Sequence, residues 1–377
     1  MVASQLGSRL QALVDRGVTI VEPGQTWVAP EIGLERISPG AVLHPGTRLC
    51  GQSTYLGPGA QVGAQGPATL VDAVLGAEAT VDAGYVERAV LLPHARVGWG
   101  GHLRPGTLME EEASTAHCVG LKHTILLAYV TIGSVVNFCD VLMAGGTSRS
   151  DHSEVGSGFI HFNFTPWGER GDKATPSLVG DVARGVFMRQ PRIFLGGAGG
   201  MVGPRRIGFG AVTGAGQVVR RDVAEDTLVL EATRSVKRAG TSTFLDPIQP
   251  RADANIAYIA QLCALRAWYR AVRFGRLHAG SEADTRIVVE AALETIDECI
   301  DERFSRLRSF VRERGGEEPT LQLQPDVPCP LPVDRDRHLS HLEWVAELSD
   351  DEVEAGATWL MKIAQMVSAR AGDHDLS

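Results

Sequence analysis

The chain has 377 residues, of which 44% are hydrophobic, and this length and composition suffice for two domains with a sizeable core. Its formal net charge of −9, without a strong polybasic tract, excludes nucleic acid as the main partner. The 43 glycines lie mainly in the first 216 residues and indicate a backbone that turns often there.

The N-terminal segment, residues 1–17, is predicted to form a helix. It lacks the apolar stretch of a signal peptide. Residues 125–139, ILLAYVTIGSVVNFC, are apolar but shorter than the roughly 20 residues that a membrane-spanning helix requires, so they favour buried strands. The six cysteines contain no C-x-x-C pair, which is typical of reduced core residues. We therefore expect a cytoplasmic protein without a membrane segment.

A six-residue spacing of aliphatic residues dominates the first part of the chain. Such a repeat places each aliphatic side chain in a prism-shaped interior, and about three units close one triangular coil. The sequence therefore predicts an all-β solenoid, a left-handed parallel β-helix of hexapeptide repeats, over residues 18–230. The aliphatic positions are Ile37, Leu43, Leu49, Leu56, Val62, Leu75, Val81, Leu91, Val97 and Leu103.

The repeat fades between residues 105 and 175, where longer insertions are expected, and then returns. The returning positions are Val202, Ile207, Val212 and Val218. Residues 231–253 are polar and predict a linker, whereas helical periodicity predicts a helical C-terminal region over 254–372. Ser349 and Glu352 form a capping-box pattern before its last helix. We expect this region to cap the open end of the solenoid.

Arg104 and Lys122 are the first candidate binding residues. On successive coils, a guanidinium and an ammonium group can hold a phosphate or carboxylate from two sides. The alternative is that both are surface charges that neutralise the acidic run Glu110–Glu112.

The stretch TSRSDHSEVGSGFIHFNF, residues 147–164, carries two candidate bases. His152 has Asp151 and Glu154 nearby, and a carboxylate can orient an imidazole. His161 and Asn163 alternate along a predicted strand, which puts them on one side of it. The alternative is that both histidines are ordinary hydrogen-bonded residues of the scaffold.

Two other histidines, His117 and His123, are expected at loops or corners. A metal site made from His152, His161 and Asp151 matches no known ligand spacing. No metal site is predicted.

Two segments resemble the acetyltransferase half of the bifunctional N-acetylglucosamine-1-phosphate uridyltransferase/glucosamine-1-phosphate acetyltransferase family. Residues 102–122, HLRPGTLMEEEASTAHCVGLK, resemble its sugar-phosphate-binding coil, and residues 154–181 resemble the coil that follows. The resemblance covers residues 90–225 and no counterpart of the family's nucleotidyltransferase half is expected. It implies the same β-helix, acetyl-CoA or another acyl-CoA as co-substrate, and a homotrimer.

The resemblance also implies roles for individual residues. Arg104 matches the family's sugar-phosphate arginine, and Lys122 matches its phosphate-binding lysine. Asn163 and Phe164 match the pair that lines the acetyl-donor and sugar pocket, and Lys173 lies near a further substrate lysine.

One position departs from the family: Asp140 stands where the family has its catalytic histidine. Acyl transfer to an amine needs a base near the nucleophile with a pKa near the working pH. Either Asp140 is strongly perturbed, or His123, His152 or His161 acts in its place; His152 and His161 are the main candidates.

Four arginines near the end of the solenoid fall where the family holds acetyl-CoA, and the resemblance implies that they meet its phosphates. The alternative is a solvated basic edge. They are Arg205, Arg206, Arg220 and Arg221.

The leading hypothesis is an acyltransferase that moves an acyl group from acyl-CoA to a sugar-phosphate or nucleotide-sugar. One alternative is a non-catalytic protein that binds a sugar nucleotide, and another is a structural trimer whose helical tail recruits a partner. The enzyme hypothesis expects Arg104, Lys122 and Asn163 to face one cleft with His152 or His161.

Overall fold

A computed structural model of the chain describes residues 2–162, 175–231, 248–277 and 283–369. It confirms the fold class, a parallel β-solenoid followed by a helical C-terminal region. Within these ranges no helix is both long and apolar enough to cross a bilayer.

The solenoid strands are mostly two to four residues long, as expected for the short flat sides of a triangular coil. In chain order they are β1 (Thr19–Ile20), β2 (Trp27–Val28), β3 (Val42–Leu43), β4 (Arg48–Cys50), β5 (Tyr55–Leu56), β6 (Gln61–Val62), β7 (Ala68–Val71), β8 (Val74–Leu75), β9 (Thr80–Val81), β10 (Gly84–Glu87), β11 (Ala89–Leu91), β12 (Arg96–Val97), β13 (Gly101–Leu103), β14 (Thr107–Met109), β15 (Ser114–Thr115), β16 (Gly120–Leu126), β17 (Thr131–Ile132), β18 (Asn137–Met143), β19 (Gly146–Ser148), β20 (Asp151–His152), β21 (Glu154–Val155), β22 (Ile160–Phe162), β23 (Ser177–Val179), β24 (Phe194–Leu195), β25 (Gly200–Val202), β26 (Arg206–Ile207), β27 (Val212–Thr213), β28 (Val218–Val219) and β29 (Leu228–Val229).

These strands form three parallel ladders, one for each face of the prism. The first face is the 11-stranded ladder β1-β3-β6-β9-β12-β15-β17-β21-β24-β27-β29. The second face is β2-β4-β7-β10-β13-β16-β18-β22-β25-β28, and the third is β5-β8-β11-β14-β16-β18-β23-β26. The long strands β16 and β18 belong to both faces because each turns a corner in its middle. An antiparallel hairpin, β19-β20, projects from the coil after β18.

The repeat positions form the core. All ten aliphatic residues between Ile37 and Leu103 that define the repeat are fully buried. In the last coils the expected register is wrong at three positions, because Met201, Thr213 and Val219 point inward. Their neighbours Val202, Val212 and Val218 face outward. Two of these pairs are both apolar, so residue type does not decide which member faces inward, and a one-residue shift reverses the faces.

Six α-helices accompany the solenoid in the described ranges: α1 (Val2–Asp15), α2 (Val182–Gly185), α3 (Ile248–Trp268), α4 (Ala283–Arg312), α5 (His341–Ala346) and α6 (Asp350–Ser368). Short 3-10 helices span Pro23–Gln25 and Leu34–Arg36, and a π-helix, Tyr269–Phe274, continues α3. Helix α3 begins inside the segment 231–253 that was predicted as a linker. The capping box of Ser349 and Glu352 is confirmed at the start of α6.

The described helices of the C-terminal region lie along a side of the solenoid rather than across its open end. Helix α4 packs on β8, β11 and β14 of the third face. Near its start Asp284 accepts a hydrogen bond from Ser38, and in its second half Arg303 pairs with Asp140. The expectation of an end cap was wrong because the buried face of α4 matches a side of the prism. Helix α3 packs against both α4 and α6.

Candidate functional site

One corner of the solenoid, between the second and third faces, stacks Gly106, His123 and Asp140. All three have positive φ, of +77°, +45° and +60°. A Cβ atom at Gly106 would lie 2.4 Å from Cδ2 of His123 and 3.1 Å from Sγ of Cys299 on α4. Only glycine therefore leaves room for the His123 ring between two coils and the helix.

The corner holds a network of charged groups shared with α4. His123 Nδ1 lies 3.5 Å from Asp140 Oδ1, and Nη2 of Arg303 lies 3.4 Å from the same oxygen. Nη2 of Arg303 also lies 2.6 Å from Oε2 of Glu302. The side chains of Asp140 and Arg303 are 5% and 3% exposed, whereas that of His123 is 18% exposed. His123 and Glu302, whose side chain is 25% exposed, are thus the members of this network that solvent or substrate can reach.

The network also contains a grouping with the composition of a metal site. One ligand atom from each of His123, Asp140 and Glu302 lies within 4.8 Å of the others. Arg303 contacts both carboxylates and supplies the positive charge that a cation would bring. Burial raises the pKa of Glu302, but Arg303 and Arg306 outweigh it and hold the value below its ordinary range. The arrangement therefore fits an ion-pair network.

Arg104 and Lys122 lie just before this corner, on the outer surface of the second face. The Arg104 amide donates to the Leu121 carbonyl at 2.9 Å, which places Arg104 beside Lys122. Lys122 is in register with Cys139 on the next coil, and Arg104 Nη2 donates to Cys139 Sγ at 3.3 Å. We call Arg104, Lys122 and Cys139 the cationic column. Burial raises the pKa of the Cys139 thiol, and the two cations oppose this.

The cations of the column do not neutralise the acidic run. Glu110 and Glu111 lie beyond the next turn and are buried against the C-terminal helices. Arg273 donates to Glu111 Oε1 at 2.6 Å, and the Tyr269 hydroxyl donates to Glu110 Oε1 at 2.8 Å. Among the described residues, no carboxylate pairs with the side chain of Arg104 or Lys122. Their charge is therefore available to an anionic ligand.

His152 lies at a different corner from the cationic column. It belongs to β20, which leads into β21 of the first face. Its Nδ1 lies 2.8 Å from the Arg149 carbonyl, and its Nε2 lies 3.9 Å from Glu154. The neighbouring Asp151 accepts from the Thr147 hydroxyl at 3.1 Å. The structure does not bring His152 together with Arg104.

His161 faces the interior of the solenoid and is 4% exposed. Its Nδ1 donates to the Cys139 carbonyl at 2.6 Å, and its Nε2 accepts from the Ser177 hydroxyl at 2.9 Å. Burial lowers its pKa to about 4, so the ring is neutral at pH 7. His161 thus lies behind the wall whose outer surface carries Arg104.

Three predicted binding residues, Asn163, Phe164 and Lys173, lie outside the described residues. The cleft expected for Arg104, Lys122 and Asn163 is therefore described only for its two cations, and neither His152 nor His161 lies beside them.

The four arginines near the end of the solenoid do not form one cluster. Arg206 is exposed and lines a groove against α3 and α6. Arg220 and Arg221 line a separate cavity of about 190 Å³ at the last coil. The Arg205 amide donates to Ser177 Oγ at 3.0 Å, and its guanidinium contacts the Pro204 carbonyl.

From the sequence His123 ranked below His152 and His161 as a candidate base, and Cys139, Glu302 and Arg303 were not singled out. One signal was available for His123: the resemblance implies a histidine at the position of Asp140, and His123 occupies the same corner one coil earlier. Arg303 is far from Asp140 in the chain, and no local sequence pattern predicts that contact.

Comparisons with known proteins identify relatives but no matching family model. The chain is 31% identical over 233 residues to "Bifunctional protein GlmU" of Fervidobacterium nodosum, which covers 61% of this chain and 45% of that protein. The resemblance to GlmU is confirmed. GlmU of Clavibacter sepedonicus is 31% identical over 240 residues, covering 64% and 43%. GlmU of Micrococcus luteus is 32% identical over 253 residues, covering 64% and 46%. The chain spans less than half the length of these relatives.

Proposed function

We propose that this protein is a transferase that moves an acyl group from acyl-CoA to a sugar-phosphate or nucleotide-sugar. The similarity to GlmU supports the class of reaction, as the resembling family implies. One observation carries the site: the cationic column lies directly before the His123–Asp140 corner. A phosphate held by Arg104 and Lys122 would place the rest of the acceptor beside His123.

In this proposal His123 is the general base and Asp140 positions it. Asp140 Oδ1 lies 3.5 Å from Nδ1, so its charge favours a proton on Nδ1 and leaves Nε2 to take the proton of the acceptor amine or hydroxyl. The acceptor then attacks the thioester carbonyl, the carbon–sulfur bond breaks, and the released thiolate of coenzyme A takes up the proton. Asp140 itself is less suited as the base because Arg303 stabilises its charged form.

The base role predicted for His152 and His161 stays a prediction, and one set of variants compares all three histidines. Acetyl-CoA is supplied with glucosamine 1-phosphate, and released coenzyme A is measured by chromatography. His123→Gln is expected to lower kcat by about a hundredfold or more. His152→Gln and His161→Gln are expected to retain it. A loss of kcat confined to either of these two variants would identify that histidine as the general base instead of His123.

Binding of the acceptor is tested separately through Cys139. Glucosamine 1-phosphate held by Arg104 and Lys122 is expected to slow alkylation of Cys139 several-fold, as measured by peptide mass spectrometry. Cys118 is exposed on the same chain and serves as the internal control. The protection is expected to disappear in Lys122→Ala. Equal alkylation rates with and without the sugar phosphate would contradict the binding site.

A second candidate function is non-catalytic binding of a sugar nucleotide. It is favoured by the contact of Arg303 with Asp140, because α4 covers the position where the family has its base. Protection of Cys139 without release of coenzyme A would support this candidate. The homotrimer also remains a proposal, and the mass measured by sedimentation equilibrium tests it.

A further inference from the structure

The outer surface of the second face carries another column of residues beside the cationic column. Outward-facing positions alternate with buried ones along each strand, so His102 precedes Arg104 and Gly120 precedes Lys122. His102 is in register with Gly120, and Gly120 is in register with Asn137. Both His102 and Asn137 are exposed. Their side chains therefore stand one coil before and one coil after a position that has no side chain.

The space over Gly120, between His102 and Asn137, has the thickness of one planar ring, and we call it the Gly120 slot. Neighbouring coils are about 4.8 Å apart, so the two flanking side chains are separated by two coils, or roughly 10 Å. Apart from the chain neighbours of Gly120, the atom nearest to a Cβ built there would be Asn137 Cγ, at an ordinary contact distance of 3.8 Å. A ring in the slot would be about one coil from each wall, and aromatic pairs favour centroid separations of about 4.5–7 Å.

The two walls of the slot suit a nucleobase. Tyr85, one coil before His102, packs edge to face on the imidazole with ring centroids 5.4 Å apart, and this contact limits the rotation of the imidazole. On the other wall, Asn137 Oδ1 lies 3.9 Å from Cys139 Sγ, which leaves the Asn137 NH₂ group to donate to a ring carbonyl. Nucleobases are bound by stacking on aromatic side chains, including histidine, and by hydrogen bonds to their polar edges.

The slot lies at a suitable distance from the cationic column. Gly120 and Lys122 are two residues apart on β16, and a strand advances by about 3.3 Å per residue, so the slot and the column are roughly 7 Å apart. In a nucleotide a single ribose separates the base from the first phosphate, so a base in the slot brings its phosphates to the column. His123 follows Lys122 directly in the chain. Base, phosphates and the group to be modified would therefore follow one another along β16.

We propose that the Gly120 slot binds the base of a nucleotide-sugar, so that the acyl acceptor is a nucleoside diphosphate sugar and not a free sugar phosphate. The base stacks on His102 and accepts a hydrogen bond from Asn137, the cationic column holds the diphosphate, and the sugar reaches His123. The bonds formed and broken stay those of the proposed reaction. The inference names the acceptor class of the proposed function and rests on it.

The test compares two ligands through the alkylation of Cys139, which lies beside both Arg104 and Asn137. UDP-glucosamine is expected to protect Cys139 at about a tenth of the concentration that glucosamine 1-phosphate requires, because a stacked base adds affinity. Gly120→Val fills the slot and is expected to abolish this tenfold advantage. Gly120 does not have a positive φ, so valine is not strained there. Thr69→Val places the same side chain on the same column three coils earlier and is expected to keep the advantage.

The outcomes separate the slot from the proposed function. If both ligands protect Cys139 at equal concentrations, or if the advantage of UDP-glucosamine persists in Gly120→Val, the slot is overturned and the sugar-phosphate site stands. If neither ligand protects Cys139, the proposed binding site is overturned together with the slot. If UDP-glucosamine protects Cys139 but releases no coenzyme A from acetyl-CoA, its role as acceptor is overturned. Circular dichroism checks folding, and if Gly120→Val does not fold, an advantage that persists in His102→Ala overturns the slot.

Discussion

The second and third faces of the solenoid are built from the same coils, but they differ in whether their charged side chains are paired. The second face carries Arg104 and Lys122 at its surface, and no carboxylate of the described chain pairs with them. The third face lies under the helices, and there Glu110, Glu111 and Asp140 meet Arg273 or Arg303. Burial requires charges to be paired, whereas a partly exposed surface can keep a charge for a ligand. The comparison therefore separates stabilising charges from candidate binding charges.

The largest expected effect comes from breaking a buried pair on the covered face. Arg273→Met leaves Glu110 and Glu111 without their cation, and we expect it to lower the free energy of unfolding by about 3–5 kcal/mol. Arg88→Met breaks an exposed pair with Glu298, where both side chains are 50% exposed, and is expected to change stability by no more than about 1 kcal/mol. Urea unfolding measures both. Equal effects would show that burial does not distinguish these pairs.

The buried histidine behind the second face predicts a pH effect. His161 has a pKa of about 4 in the folded state and about 6.5 when unfolded, so the unfolded chain binds more protons between these values. Stability is therefore lost as the pH falls from about 6.5 to about 4, and this histidine contributes roughly 3 kcal/mol of that loss. Urea unfolding near pH 7 and near pH 4.5 is expected to show a smaller loss for His161→Gln than for the unaltered chain. Parallel losses would contradict the burial of a neutral ring.

Two glycines, one at the corner and one in open space, test how tightly the corner is packed. Gly106 and Gly216 have nearly equal φ, +77° and +74°, but a Cβ atom at Gly216 would meet nothing within 4 Å. Gly216→Ala is expected to cost about 1 kcal/mol from backbone strain alone. Gly106→Ala adds the clash with His123 and Cys299 and is expected to cost about 1–2 kcal/mol more. Thermal unfolding of both variants gives the difference, and no difference would mean that the corner is loosely packed.

The smallest expected effect lies on the open face. Lys122→Ala removes a charge that stabilises no carboxylate of the described chain, so unfolding is expected to change by less than about 0.5 kcal/mol. The same variant is expected to lose the protection of Cys139 by the sugar phosphate. A large loss of stability in urea would instead show that Lys122 is part of the structural network.

The sequence predicted the coils well where one residue of each unit is aliphatic and its neighbours are polar or small, as at Val62 and Val97. It failed at Val202 and Val218, where a second apolar residue is adjacent and either register buries a side chain. The capping box of Ser349 and Glu352 was predictable because both partners are local.

The candidate site was less predictable. The spacing of Arg104 and Lys122 placed them on neighbouring coils, which the structure shows, because one turn of the solenoid separates them. The corner network was not predictable, since Arg303 reaches Asp140 from a helix that begins more than a hundred residues later in the chain.

Helix α4 also changes how the solenoid is expected to melt. In a repeat protein each unit contacts only its neighbours, so the ends fray independently of the middle. Here helix α4 contacts both the coil that contains Ser38 and the much later coil that contains Asp140. A local opening at either point must release the helix or bend it, so distant coils share one cooperative transition. Helix α4 thus couples coils that do not contact one another, and we expect the solenoid and the helix to unfold as a single cooperative unit.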